Sequence, residues 1–358
     1  MKGAFQHMRS EDIARLAGVS RSTVSRVINN YSNVPEETRQ RVLKVIEEHH
    51  YEPNTSARVL AGKGTDTIGL FVVSTAERPE VNRIYDNSYF ARFVDAVTDH
   101  ANAKGSYVLI HTVYSPEDFL RVKQAFLQKR IDGGVIVGSG RDPQMVSELA
   151  ELQAPIVLID YDIAEIIGSR LNKNRLAVVN SMDYEGTMAV MEHLIGLGHR
   201  EIGILAGRLD TYSGRERYKA YETALQQHGL PMREEFILQG QFLKETAYAE
   251  AERLARTGKL PTALFCANDD MAISALQAFT RHGIRVPEDI SLAGYDDVPS
   301  ASLLSPGLTT VRLPIYEMAR AAVESISRMQ QKKSGSSFET VSFPAEFIQR
   351  GSCRSIGQ

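Results

Sequence analysis

From Thr67 onward the chain repeats one pattern, a short continuous apolar run followed by an amphipathic stretch. The runs are "TIGLFVV", "YVLIHT", "GGVIVG", "PIVLID", "LAVVN", "EIGILAG", "TALFCAN" and "ISLAGYD". Strands that are apolar on both faces need cover on both faces, which is the condition of a parallel sheet. Between the runs the spacing is helical. Phe90, Phe93, Val94 and Val97 mark a 3.6-residue period over 89–102, and comparable stretches lie near 116–130, 184–196, 214–228, 245–257 and 270–282. Alternating strands and helices predict an α/β architecture. About ten strands are too many for one sheet of ordinary size, so two doubly wound lobes are expected.

The first fifty residues follow a different rule. "EDIARLA", "RSTVSRVIN" and "PEETRQRVLKVIEEHH" read as three short helices, with Ser10 and Ser20 as caps of the first two and Pro35 in the first turn of the third. Ile13, Leu16, Val24, Val27, Ile28, Val42, Val45 and Ile46 can share one small core. A helix, a tight turn at Ala17-Gly18 and a second helix form a helix-turn-helix arrangement, with Val19 closing the core below the turn. The exposed face of the second helix presents Arg21, Ser22 and Arg26 to base edges, where arginine reads guanine with two bonds. Ser20, Thr23, Ser25 and Asn29 are placed for phosphates. Alternatively, the serines and threonine only cap and solvate a helical hairpin.

Charge favours the DNA reading. The whole chain is at −3, yet residues 1–64 hold ten Lys/Arg against seven Asp/Glu, leaving the acidic excess in the rest. Cys266 lies within an apolar run and is expected to be a buried small hydrophobe. No run is long enough to span a membrane and the start lacks an apolar leader core, so a cytoplasmic protein is expected.

"DIARLAGVSRSTVSRVIN" with "VPEETRQRVLKVIEEHHYEPNTSARVLAGK" resembles the N-terminal module of the LacI/GalR family of bacterial repressors. "GLGHREIGILAG", "RERYKAY", "CANDDMA", "RVPEDISLAGYDD" and "SPGLTTVR" extend the resemblance over nearly the whole chain. It implies a headpiece at 1–52, a hinge at 53–65 and an effector-binding core at 66–358. The core would resemble periplasmic sugar-binding proteins, with an N-lobe at about 66–181 and 314–341 and a C-lobe at about 182–313 and 342–358. The hinge would become helical on operator DNA. Leu60 would be the wedge pressed into the minor groove, with Ala57 beside it and Asn54 near the backbone. Leu60 packing against the core is the alternative. Two hinges meeting at one base step imply a homodimer and a palindromic operator.

Ligands of parallel sheets bind beyond the C-terminal strand ends. Asp160, Asn268, Asp269 and Asp296 stand at such ends, and Arg217 matches the family's arginine in the first turn of a helix. Arg217, Asn268 and Asp296 would grip adjacent hydroxyls of a sugar, with Phe90 or Tyr89 under its C–H face and Ser88 nearby. Phe90 also fits the core face of its helix, and Tyr89 a surface or dimer contact. Asp269 is expected to cap the helix "DDMAIS", Asp297 the next turn, and His199 to be a surface turn residue. Where many members carry Asp-Asn, this chain has Met182-Asp183, so no ligand contact is expected there. The long loop carrying Arg83, Tyr85 and Asp86 fits either a larger effector or a plain surface excursion.

An enzyme on the same sheet and a sugar-binding transport-type protein are the rival classes, and the attached DNA module argues against the second. No phosphate-cradling glycine motif follows a strand, and the nine histidines show no metal-ligand spacing, so neither metal nor cofactor is expected. The expected function is a repressor of carbohydrate-use genes with a sugar effector. A corepressed regulator answering to a purine or phosphometabolite is the alternative.

Overall fold

A computed structural model describes residues 8–28, 31–51, 64–74, 87–138, 142–331 and 338–356. The chain divides into two compact units, Met1–Thr65 and Asp66–Gln358. Asn29, Asn54, Ala57, Leu60, Arg83, Tyr85 and Asp86 lie outside the described residues.

In the first unit, α1 (Ser10–Leu16), α2 (Arg21–Ile28) and α3 (Glu36–Glu48) enclose Ile13, Ala14, Ala17, Val24, Val27, Val34 and Val42. Gly18 makes the turn at φ +63°, a left-handed conformation that costs glycine little. Ser20 caps α2, its Oγ accepting from Thr23 N at 3.1 Å. The cap of α1 differs from expectation. Arg9, not Ser10, stands at the N-cap, and Asp12 reaches back to accept from Arg9 N at 3.0 Å. A carboxylate in the first turn thus satisfies the N–H of the N-cap residue itself, the reciprocal half of a capping box. Leu16 is exposed rather than in the core.

The second unit contains strands β1 (Thr67–Val73), β2 (Tyr107–Val113), β3 (Gly133–Val137), β4 (Ile156–Ile159), β5 (Leu176–Ser181), β6 (Ile202–Ala206), β7 (Ile237–Gln239), β8 (Ala263–Cys266), β9 (Ser291–Ala293), β10 (Thr310–Arg312), β11 (Glu339–Phe343) and β12 (Glu346–Ile348). They form a six-stranded sheet, β11-β5-β4-β3-β1-β2, a four-stranded sheet, β7-β6-β8-β9, and a ribbon, β10-β12. Both sheets are wholly parallel. Burial of all six residues of β5 and all four of β8 shows the cover on both faces that the Val/Ile runs require.

The helices of this unit are α4 (Ser88–Ala103), α5 (Pro116–Leu127), α6 (Pro143–Glu151), α7 (Ile163–Gly168), α8 (Asp183–Gly196), α9 (Tyr212–Gln227), α10 (Lys244–Arg256), α11 (Asp269–Arg281), α12 (Pro299–Leu303) and α13 (Ile315–Gln331). The chain passes between lobes after β5, after β10 and after β11. β11 stays in the first sheet through Phe343, which pairs with Ser181, so the last crossing falls two residues beyond the expected 341/342 boundary. Among the described residues no helix is long and apolar enough to cross a membrane.

Candidate functional site: the interlobe cleft

At the strand ends of the second unit the backbone is bent sharply. Asp160 (φ +62°), Phe242 (φ +59°) and Asp296 (φ +111°) all occupy the left-handed half of conformational space. Such residues are held there by their surroundings and cluster at ligand sites. Here all three line one cavity, together with Tyr89, Phe90, Arg208, Ser213, Arg217 and Asn268.

Arg217 organises the floor. Its Nε donates to Asp183 Oδ1 at 2.7 Å, and an Nη1–H donates to the carbonyl of Ala267. Nη1 also stands 3.5 Å from Asp296 Oδ1. The guanidinium lies flat on Tyr295, 3.8 Å from the ring centroid, with Phe242 at 5.7 Å. Burial opposes its charge, but Asp183 and Asp296 outweigh that opposition and raise its pKa. Asp183 is fully engaged, with Ser181 Oγ donating to its second oxygen at 2.5 Å. It is a partner of Arg217, not a free ligand group.

Asp296 carries the opposite imbalance. Burial drives its pKa well above the carboxylate range, and Arg217 offsets only part of this. Its Oδ1 is buried with no hydrogen-bond donor among the described residues. An unpaired buried acceptor costs about 1–3 kcal/mol, a deficit that a hydroxyl donor removes. Asp160, from the other lobe, accepts from Ser213 N at 3.0 Å and from Ser213 Oγ at 2.7 Å. Burial and then Asp183 push its pKa up to about 6, against the pull of the Ser213 bonds.

Several expected positions are rearranged. Asn268, not Asp269, caps α11, its Oδ1 accepting from Met271 N at 2.8 Å while the side chain lines the cavity. Asp269 is fully buried and accepts from Val298 N at 2.9 Å and Thr310 Oγ1 at 2.6 Å. Burial raises its pKa to about 7 despite those bonds. Asp297 does not cap a turn but pairs with Arg312 at 2.8 Å and Arg350 at 2.6 Å. Phe90 meets both expectations, lying in the core cluster and on the cavity wall. Tyr89 also lines the cavity rather than the surface, packed edge-on to Phe90 and Phe93. Ser88 turns away from the cavity and bonds Asp270. His199 is buried, between Thr262 Oγ1 at 3.0 Å and the Arg354 carbonyl at 3.1 Å. Phe242 and Ser213 were not singled out from sequence; an aromatic residue in the polar loop "QGQF" is the signal that marks the first.

On the headpiece, Arg21, Ser22, Ser25 and Arg26 are exposed along α2. Arg21 meets Glu11 at 3.3 Å, a water-exposed pair worth little. Ser20 Oγ lies 2.7 Å from Ser22 Oγ and 2.9 Å from Thr23 Oγ1, so these hydroxyls form one local network.

The sequence pattern of bacterial regulatory proteins of the lacI family matches residues 11–54, and that of the periplasmic binding protein-like domain matches 191–353. The chain is 33% identical over 350 residues to the HTH-type transcriptional repressor PurR of Haemophilus influenzae (strain PittEE), covering 97% of this chain and 98% of that protein. It superimposes on the lac repressor dimer bound to operator and the anti-inducer ONPF with a TM-score of 0.79, at 27% identity over 98% of this chain and 100% of that one. The complex of the transcriptional regulator CelR with cellobiose gives a TM-score of 0.71, at 27% identity over 96% and 99% of the two chains. The chain belongs to the lacI family of bacterial regulatory proteins. It is a DNA-binding transcriptional regulator whose second unit is an effector domain of the periplasmic-binding-protein type.

Proposed function

We propose that the chain is a non-catalytic, cytoplasmic, dimeric repressor of carbohydrate-use genes, and that a small neutral sugar in the cleft sets its affinity for a palindromic operator. The observation that carries the effector class is the buried Oδ1 of Asp296, which accepts no hydrogen bond among the described residues and stands 3.5 Å from Arg217. Asp160, Asn268 and Asp296 supply acceptors for hydroxyls, Arg217 a donor, and Phe90, Tyr89 and Phe242 apolar surface for C–H groups. The charge balance opposes an anionic ligand. Arg217 already faces Asp183 and Asp296, and Arg208 is bound to Asp210 at 3.0 and 2.5 Å. A phosphate or carboxylate would compete with these partners in a site that burial has made costly for negative charge.

In the headpiece Arg21, Ser22 and Arg26 read base edges, while Ser20, Thr23, Ser25 and Asn29 contact phosphates. Asn54, Ala57 and Leu60 form the minor-groove hinge. Closure of the lobes on the effector changes the spacing of the two hinges of a dimer. By linkage, the operator alters effector affinity by the same factor. The structural relative holding cellobiose supports the sugar class. A planar nucleobase is the second reading, favoured by the two rings Phe90 and Phe242 on the cavity wall.

A thermal-shift screen of neutral sugars, sugar phosphates and purine bases separates these readings. The sugar reading requires a neutral saccharide that raises the melting temperature of the wild type and not that of Asp296→Ala. A purine that does so in place of every saccharide replaces it with the second reading.

A further inference from the structure

Outside the cavity lies a second, open recess that none of the cleft residues explains. It is bounded by Ser88, Lys244, Tyr248, Asp270, Gln277 and Ser300, among others. Ser88 N and Ser88 Oγ donate to the two oxygens of Asp270 at 3.2 and 3.1 Å, joining the start of α4 in one lobe to α11 in the other. The residues flanking Ser88, Asn87 and Tyr89, line the cavity, as does Asn268, two positions before Asp270. The Ser88–Asp270 pair lines the recess while its chain neighbours line the cavity, and parting of the lobes would break both bonds.

The chemistry of the recess repeats that of the cavity. Tyr248 is half-buried, with its hydroxyl accepting from Arg281 Nη1 at 3.2 Å, so an apolar ring is fixed at the wall. Around it stand the Lys244 ammonium, 3.5 Å from Asp270 Oδ1, the Gln277 amide and the Ser300 hydroxyl. Gln277 and Ser300 are exposed and offer both donors and acceptors. An aromatic face ringed by neutral and mixed-charge polar groups suits a second pyranose ring better than an anion or a wholly apolar group.

The geometry points to this recess as an outer subsite for the second ring of an oligosaccharide whose first ring occupies the cavity, with the Ser88–Asp270 pair as the partition between them. The inference rests on the sugar reading of the cavity. It makes the preferred effector a di- or trisaccharide.

Calorimetric titration of the full chain with matched mono-, di- and trisaccharides of several hexoses tests it. The expected result is one series in which the disaccharide binds at least tenfold more tightly than its monosaccharide. Tyr248→Ala should remove most of that gain while leaving the monosaccharide unaffected, and Tyr248→Phe should restore it. Arg281→Ala serves as a control for loss of the hydroxyl contact alone. Equal affinity for mono- and disaccharide, or equal weakening of both by Tyr248→Ala, overturns the outer subsite and leaves the sugar reading standing. Binding of no saccharide at all overturns the sugar reading, and the subsite with it.

Discussion

Replacing Arg217 by alanine tests the physical account of the cleft. Its side chain and that of Asp183 are almost wholly buried, 2.7 Å apart, and Asp296 lies on the other side of the guanidinium. Removing the cation leaves two buried carboxylates without a counter-charge, and removal of one partner of such a pair costs about 3–5 kcal/mol. At roughly 2–4 °C per kcal/mol for a domain of this size, the melting temperature should fall by about 6–20 °C. The loss should be smaller at pH 5 than at pH 8, because burial already raises the pKa of Asp296 and loss of Arg217 removes the charge that lowers it, so this carboxyl takes up a proton more readily in acid. Urea denaturation of the purified full chain followed by circular dichroism at both pH values gives the numbers. A loss below about 1 kcal/mol at pH 8, or one independent of pH, would falsify the view that Arg217 neutralises this floor.

Asn268→Ala should remove the α11 cap, at a cost of about 1 kcal/mol in urea stability, and should also weaken effector binding; retained affinity contradicts its place in the site. Arg21→Ala should cost about 1–3 kcal/mol on the preferred DNA site and relax preference at one position; an unchanged ranking of site variants excludes base reading by Arg21. The Asp160 carboxyl, raised to about 6, holds a proton in the fold at pH values where the unfolded chain has lost it. That contribution is complete below the ordinary carboxylate pKa of about 4 and is lost as pH rises through 6. Asp160→Asn should therefore gain stability relative to wild type between pH 4.5 and 7, and a constant difference in urea midpoint over that interval refutes the shift.

The strands that build the cleft were legible because both faces are buried, so β1, β3, β4, β5, β6 and β8 appear as unbroken apolar runs. β7 and β10, with three residues each, are too short to show a period. α13, which covers the first sheet, is not among the helices read from the sequence, although Ile315, Met318, Ala319, Ala322, Val323, Ile326 and Met329 recur at helical spacing on its buried face. Strand-end logic brought Asp160, Asn268 and Asp296 together, yet it could not say which of two adjacent residues would face inward. At 268–269 the choice depended on where α11 begins, and at 88–90 on the rotation of the first turn of α4. Phe242 stands out as an aromatic residue in a polar loop, but the positive φ of Gln241 and Phe242 at the cavity is a tertiary outcome that the local sequence does not foretell. His199 looked like a polar turn residue because its two partners, Thr262 and Arg354, are 63 and 155 positions away.

Occupancy of the cleft should control affinity for DNA. The most direct test begins by selecting duplexes from a random pool with the full chain. The affinity of the best duplex is then measured by fluorescence anisotropy, with and without a saturating amount of the saccharide identified by calorimetry. A site with two symmetric halves is expected, with a shift in Kd of at least fivefold for wild type that is absent with Asp296→Ala. The same Kd with and without saturating saccharide contradicts it.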